Sequence, residues 1–233
     1  MKRLILFVLL INSIVVGQDG RVAQFAVWKP KVGQEGRFET GYKQHLLWHK
    51  TNGDKWNWYG WYIVSGPRIG WFVDATFGHR WADFDSPVNP AGDGADNDLH
   101  TEPFGDFQTL FKSSRISEPS FPESPVLRSK YVRLVTISAN DISAAQKITD
   151  KLRSSYAADD PLKGFLVYKV IDGGPTDRLL LLFGFKSYDE YGRSESLTDA
   201  ILAIETSLGS RVIKGIESET LIFRSDMSLL DGN

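Results

Sequence analysis

All four histidines (45, 49, 79 and 100) and all seven tryptophans (28, 48, 56, 58, 61, 71 and 81) lie in the first half of the chain. His45 and His49 are the pair whose spacing could do chemistry. In the segment GQEGRFETGYKQHLLWHKTNG (33–53), Phe38, Tyr42, His45 and His49 fall at i, i+4, i+7 and i+11, on one side of a helix. Two imidazoles four residues apart can chelate a metal ion or serve as an acid/base pair near neutral pH. The zincin signature HExxH would need Glu at position 46, where Leu46 stands. A third ligand would have to come from His79, His100 or a carboxylate distant in sequence. The sequence therefore assigns no metal and favours a partly exposed pair hydrogen-bonded along the helix.

A second candidate lies on the segment Trp71–His79. Strand alternation places Trp71, Val73, Ala75, Phe77 and His79 on one face, expected to pack on helices, and Phe72, Asp74 and Thr76 on the other. A carboxylate facing the inside of a barrel could act as a base or hold a polar ligand group. Pairing with Arg68 or Arg80 is the structural alternative for Asp74. Beyond it, Asp93, Asp96, Asn97 and Asp98 offer hard oxygen ligands, but not at EF-hand spacing. They are expected to form a solvated acidic turn. Trp58, Trp61, Trp71 and Trp81 would wall an aromatic pocket, with His45, His49 and Asp74 as its polar handles. The competing expectation is that these tryptophans fill a core.

The elements that must position these residues are plainest in the second half. Tyr131–Ser138 is β-rich, and a helix follows in which Ile142, Ala145, Ile148, Leu152 and Tyr156 form one apolar stripe. Phe165–Ile171 and Leu179–Phe185 are strands joined by the turn DGGPTD (172–177). A helix from Ser196 or Thr198 to Leu208 and a strand over Glu219–Arg224 complete a β-α-β-β-α-β order, the ferredoxin-like pattern.

The first half repeats this order at an offset of 107 residues, Phe165 answering Trp58 and DGGPTD answering SGPRIG (65–70). It predicts strands at Gln24–Trp28, Trp58–Val64 and Trp71–Phe77 and a helix from Gln34 to Lys50. Residues 85–106 are expected to form an ordered loop or insertion, followed by a short helix at Phe107–Lys112. The domain plan is a leader at 1–17, a first ferredoxin-like repeat at 18–116, a Pro-rich linker at 117–129 and a second repeat at 130–233.

The start, MKRLILFVLLINSIVVG, has a charged opening, an apolar run and small residues Val15 and Gly17 before Gln18, the pattern of a cleaved signal peptide. Export, periplasmic or secreted, is the expectation, with no membrane attachment after cleavage. The chain has no cysteine, which rules out disulfides, thiolate metal sites and a Cys nucleophile. Net charge is −2, with 27 basic and 29 acidic residues and no basic stripe, so nucleic acid is not an expected partner.

The element order and the duplicated hairpin resemble the dimeric α+β barrel superfamily, which includes antibiotic-biosynthesis-monooxygenase-like and NIPSNAP-like domains. The resemblance covers roughly 22–112 and 130–225. It implies two ferredoxin-like units pairing their sheets into one barrel, within this chain or between copies in a homodimer. Members of that superfamily include cofactor-free oxygenases and haem-handling enzymes as well as domains without known activity. Fold alone does not choose among these. The expected function is binding of a small organic ligand in the first half. A monooxygenase-like or haem-handling enzyme and a ligand-free interaction module are the alternatives.

Overall fold

The computed structural model describes residues 20–117, 122–158 and 160–230. The proposed leader lies outside the described residues. In chain order the elements are β1 (Val22–Pro30), α1 (Glu35–Thr51), β2 (Trp58–Ile63), β3 (Phe72–His79), α2 (Pro90–His100), β4 (Gly105–Arg115), α3 (Glu123–Leu127) and β5 (Tyr131–Ala139). Then come α4 (Ile142–Ser155), β6 (Leu166–Asp172), β7 (Arg178–Phe185), α5 (Tyr188–Gly192), α6 (Leu197–Ser207) and β8 (Ile213–Phe223). The strands close into one antiparallel barrel in the order β1-β3-β2-β8-β5-β7-β6-β4. Four strands from each half lie side by side. The contacts β2–β8 and β4–β6 join the halves.

Three apolar cores follow from strand alternation. Inward residues such as Phe25, Val27, Trp61, Val73, Tyr168 and Leu182 pack against one another inside the barrel. The outer face of the second half packs under α4 and α6 through Val135, Ile148, Leu152, Leu181 and Ile201. The outer face of the first half packs Trp28 and Phe72 against Phe38, Tyr42 and Leu46 of α1. Burying a side chain of this size contributes about 1.5–3 kcal/mol, so each layer is a substantial part of the fold's stability.

Three expectations need correction. On β3 the faces are reversed: Val73 and Ala75 point into the barrel, while Phe72 and Asp74 lie on the α1 side. Both faces of this sheet are covered, so alternation gives the period without saying which side is inside. Gly78, at φ +79°, and a register shift between β1 and β3 turn His79 back beside Thr76. Second, 105–115 is a strand, and no helix forms at Phe107–Lys112. Phe107, Leu110 and Phe111 mimic a helical stripe, but a bulge opposite Val27 and Trp28 puts Phe107 outside against Trp28 and Phe111 inside on Phe25.

Third, the segment 85–106 contains a helix, α2. Asn89 caps it by accepting from the Gly92 amide at 3.2 Å, and Pro90 occupies its first turn, where a missing N–H costs nothing. Two glycines make this a poor helix former. Docking on α1 holds it. Gly41 of α1 permits the approach, since a Cβ there would come within 1.7 Å of the His100 carbonyl oxygen.

Candidate metal centre

Phe38, Tyr42, His45 and His49 lie along the buried side of α1. Phe38 and Tyr42 pack on Phe72, which anchors the helix on the sheet. Past them the apolar layer gives way to polar groups. His45 and His49 are only 6% and 5% exposed, so the expected partly exposed pair is in fact buried. Their Nε2 atoms face each other at 3.1 Å. Asp93 Oδ1, from α2, lies 3.3 Å from His45 Nε2 and 3.5 Å from His49 Nε2. Three donor atoms thus form a nearly equilateral triangle.

The outer nitrogens of both rings meet carboxylates. His45 Nδ1 bonds Asp96 Oδ2 at 2.8 Å, and Asp96 Oδ1 takes His100 Nδ1 at 3.0 Å. Asp54 Oδ2 lies 2.8 Å from His49 Nδ1, off the line of a straight N–H···O bond, and also accepts from Trp58 Nε1 at 2.9 Å. A carboxylate on Nδ1 fixes the proton there and leaves Nε2 as a lone-pair donor. The His45 lone pair, the His49 Nε2 and the Asp93 oxygen thus lie within 3.5 Å of one another. Among the described residues, Asp93 Oδ1 is buried without a hydrogen-bond partner, as is Asn97 Oδ1. The Asn97 amide sits with Nδ2 3.0 Å from His45 Nε2. Turned over, it would bring Oδ1 to the same place as a fourth donor, the second oxygen, an orientation that hydrogen-bond assignment alone decides.

Burial and the neighbouring His49 hold the His45 pKa below the usual imidazole range, so this ring is neutral at neutral pH. Burial opposes ionisation of Asp54, but His49, the Trp56 amide and the Trp58 indole outweigh it and hold its pKa below the ordinary carboxylate value. Tetrahedral coordination at metal–nitrogen distances near 2.0–2.1 Å spaces ligand atoms about 3.3 Å apart. The triangle already has that size. Imidazole donors favour transition metals over calcium.

Asp74 borders the same cleft, about 250 Å³ in volume, which Trp28, Tyr42, His45, His49, Trp58 and Asp93 help to line. It is 5% exposed and has neither Arg68 nor Arg80 as partner: those pair with Glu219 and Asp83. Burial pushes its pKa up to about 7, against hydrogen bonds from Trp28 Nε1 and the Tyr42 hydroxyl that lower it. A neighbouring cleft of about 220 Å³ shares His49, Trp58 and Asp93 and continues past Trp56 to Phe84.

Of the residues singled out in the sequence, His45, His49, Trp58 and Asp74 come together here. Trp61, Trp71 and Trp81 do not. Trp61 stands inside the barrel and donates to the Leu127 carbonyl at 3.1 Å. Trp71 packs on the barrel core from the β2–β3 hairpin end, and Trp81 is 41% exposed. His79 is buried among Thr76, Trp56 and Phe84. The acidic turn is only partly solvated: the Asp96 side chain is 12% exposed and faces the histidines. Asp93, Asp96 and Asp54 were not singled out as partners of the pair. For Asp93 and Asp96 the one signal was their acidity within a segment too rich in glycine to show a helical face.

No protein-family model matches the sequence, and no curated protein matches it. Solved structures do. A variant of the chlorite dismutase from Candidatus Nitrospira defluvii superposes with a TM-score of 0.57 at 8% identity, covering 89% of this chain and 93% of that one. An anthrone oxidase-like protein gives 0.55 at 11% identity, with 93% and 95% covered. A haem-binding protein from Thermus thermophilus gives 0.51 at 11% identity, with 89% and 92% covered. These neighbours belong to the dimeric α+β barrel superfamily. This chain has their fold. At such identities the likeness of the α+β barrels extends to architecture and no further.

Proposed function

We propose that this α+β barrel binds one divalent transition-metal ion through His45, His49 and Asp93, and that the adjoining cleft takes a small organic ligand. The observation that carries the reading is the convergence of three donor atoms within 3.5 Å, with carboxylates at both outer imidazole nitrogens. Two histidines and one carboxylate with open positions suit zinc or non-haem iron. Bound there, the ion would act as a Lewis acid toward an oxygen of the ligand. The chain's own groups do the rest. Trp28 and Trp58 offer aromatic surface, and Asp74 holds a proton up to about pH 7 beside it. Export through the leader at 1–17, and descent from two ferredoxin-like copies, belong to the same proposal. The strand order supports the second, because β4-β1-β3-β2 and β8-β5-β7-β6 run in the same sense.

Haem fits this site poorly. An axial ligand needs an imidazole nitrogen aimed at open space. Here both Nε2 atoms are turned on each other and on Asp93, and the Nε2 of His79 is engaged with Thr76. A second reading, a cofactor-free oxygenase, rests on Asp74, since a base titrating near neutrality is suited to proton abstraction. Calorimetric titration with zinc separates the two. The proposal expects one equivalent bound by the chelator-stripped protein, and at least tenfold weaker binding by Asp93→Ala. Absence of zinc binding would leave the Asp74 reading standing alone.

A further inference from the structure

The barrel itself holds a chamber of about 300 Å³ that the metal centre does not use. It opens at the end that carries both hairpins, SGPRIG and DGGPTD, with Pro67, Arg68, Gly173, Gly174 and Pro175 at its mouth. Away from the mouth the barrel interior is packed by core side chains, Trp61, Tyr168 and Leu127 of α3 among them. The wall is apolar, with Phe25, Phe111, Leu134, Leu180 and Leu182 among its lining. The volume is at the low end of the range for small-molecule sites.

The polar groups are unevenly engaged. Arg68 and Glu219 satisfy each other in a two-pronged pair, and Glu217 is exposed to water. Arg178 begins β7 with the same alternation as Leu180 and Leu182, so it faces the chamber. Its Nε is buried and has no hydrogen-bond partner among the described residues. A buried donor left unmade is costly, and on an apolar chamber it marks where an acceptor belongs.

We infer that the barrel chamber binds an amphipathic carboxylic acid, its hydrocarbon chain inside the barrel and its carboxylate on Arg178. The ligand is a free medium-chain acid, because a chamber of about 300 Å³ above a packed core has no room for a longer tail. An anionic head makes a charge-assisted bond to the guanidinium that an alcohol of the same length cannot equal.

Calorimetry with octanoate and with 1-octanol, on metal-free protein in EDTA, tests this. Octanoate is expected to bind at one site and more tightly than octanol. Arg178→Met is expected to weaken octanoate about tenfold or more, the worth of a bond to a charged group, and to leave octanol within about twofold. Gly174→Leu should weaken both ligands. A Cβ at 174 meets only Val170 and Phe111 at ordinary contact distance, so the new side chain can fill the mouth without strain. If that variant does not fold, Thr136→Leu, within the lining, replaces it. Three results overturn the inference: no octanoate binding, octanoate affinity indifferent to Arg178, or affinity unchanged when the chamber is filled.

Discussion

Zinc at a thousandfold excess over its dissociation constant raises the melting temperature by about 8–16 °C, and His49→Ala removes that rise. The size follows from mass action. A ligand at that excess stabilises the folded state by about 4.1 kcal/mol. In a chain of this length each kcal/mol is worth about 2–4 °C. The unfolded chain lacks the triangle, because Asp93 meets the histidines only when α2 is docked on α1. Losing an outer-shell partner of a metal typically costs about 10–100-fold in affinity, and losing a ligand costs more. The comparison is of each protein with and without zinc, since His49 also packs on Trp48 and Trp58 and its removal lowers the metal-free baseline. An equal rise in wild type and His49→Ala would place the ion elsewhere.

The second large effect is on stability against pH. Asp74 titrates at about 7 in the folded protein, against an ordinary value of 3.8. Between those values the folded state carries a proton that the unfolded chain has released. The stability Asp74 contributes is therefore full below about pH 4 and is lost as pH rises through about 7. A shift of this size corresponds to about 4 kcal/mol, at about 1.4 kcal/mol per unit. Asp74→Asn keeps the shape and can still accept from Trp28 and Tyr42, but it cannot ionise. In EDTA, urea unfolding of the wild type should weaken from pH 5 to pH 8 by about 3 kcal/mol more than that of Asp74→Asn. Parallel pH dependence in the two proteins would show that Asp74 is not the group concerned.

What the sequence disclosed here has a physical pattern. The α1 stripe was legible because a helix set on a sheet keeps its apolar side in register, and His45 and His49 extend that side. The second half was legible because its strands and helices alternate cleanly between turns. The partners of the histidines were not. Asp93 and Asp96 sit in a helix whose glycines would disfavour it in isolation, and contacts with α1, absent from local sequence, decide its conformation. Clustering of tryptophan in the first half misled in detail, because one half of the chain supplies three environments: the barrel interior for Trp61, the helix layer for Trp28 and the cleft for Trp58. The reversed faces of β3 have the same origin, since a sheet covered on both sides gives no polar face to orient it.

X-ray absorption at the zinc edge of the protein loaded with one equivalent tests the metal centre most directly. The account predicts a first shell of nitrogen and oxygen at about 2.0–2.1 Å, with the outer scattering of two imidazole rings, reduced to one ring in His45→Ala. A hydrated ion without imidazole scattering, or a spectrum that His45→Ala leaves unchanged, would contradict it.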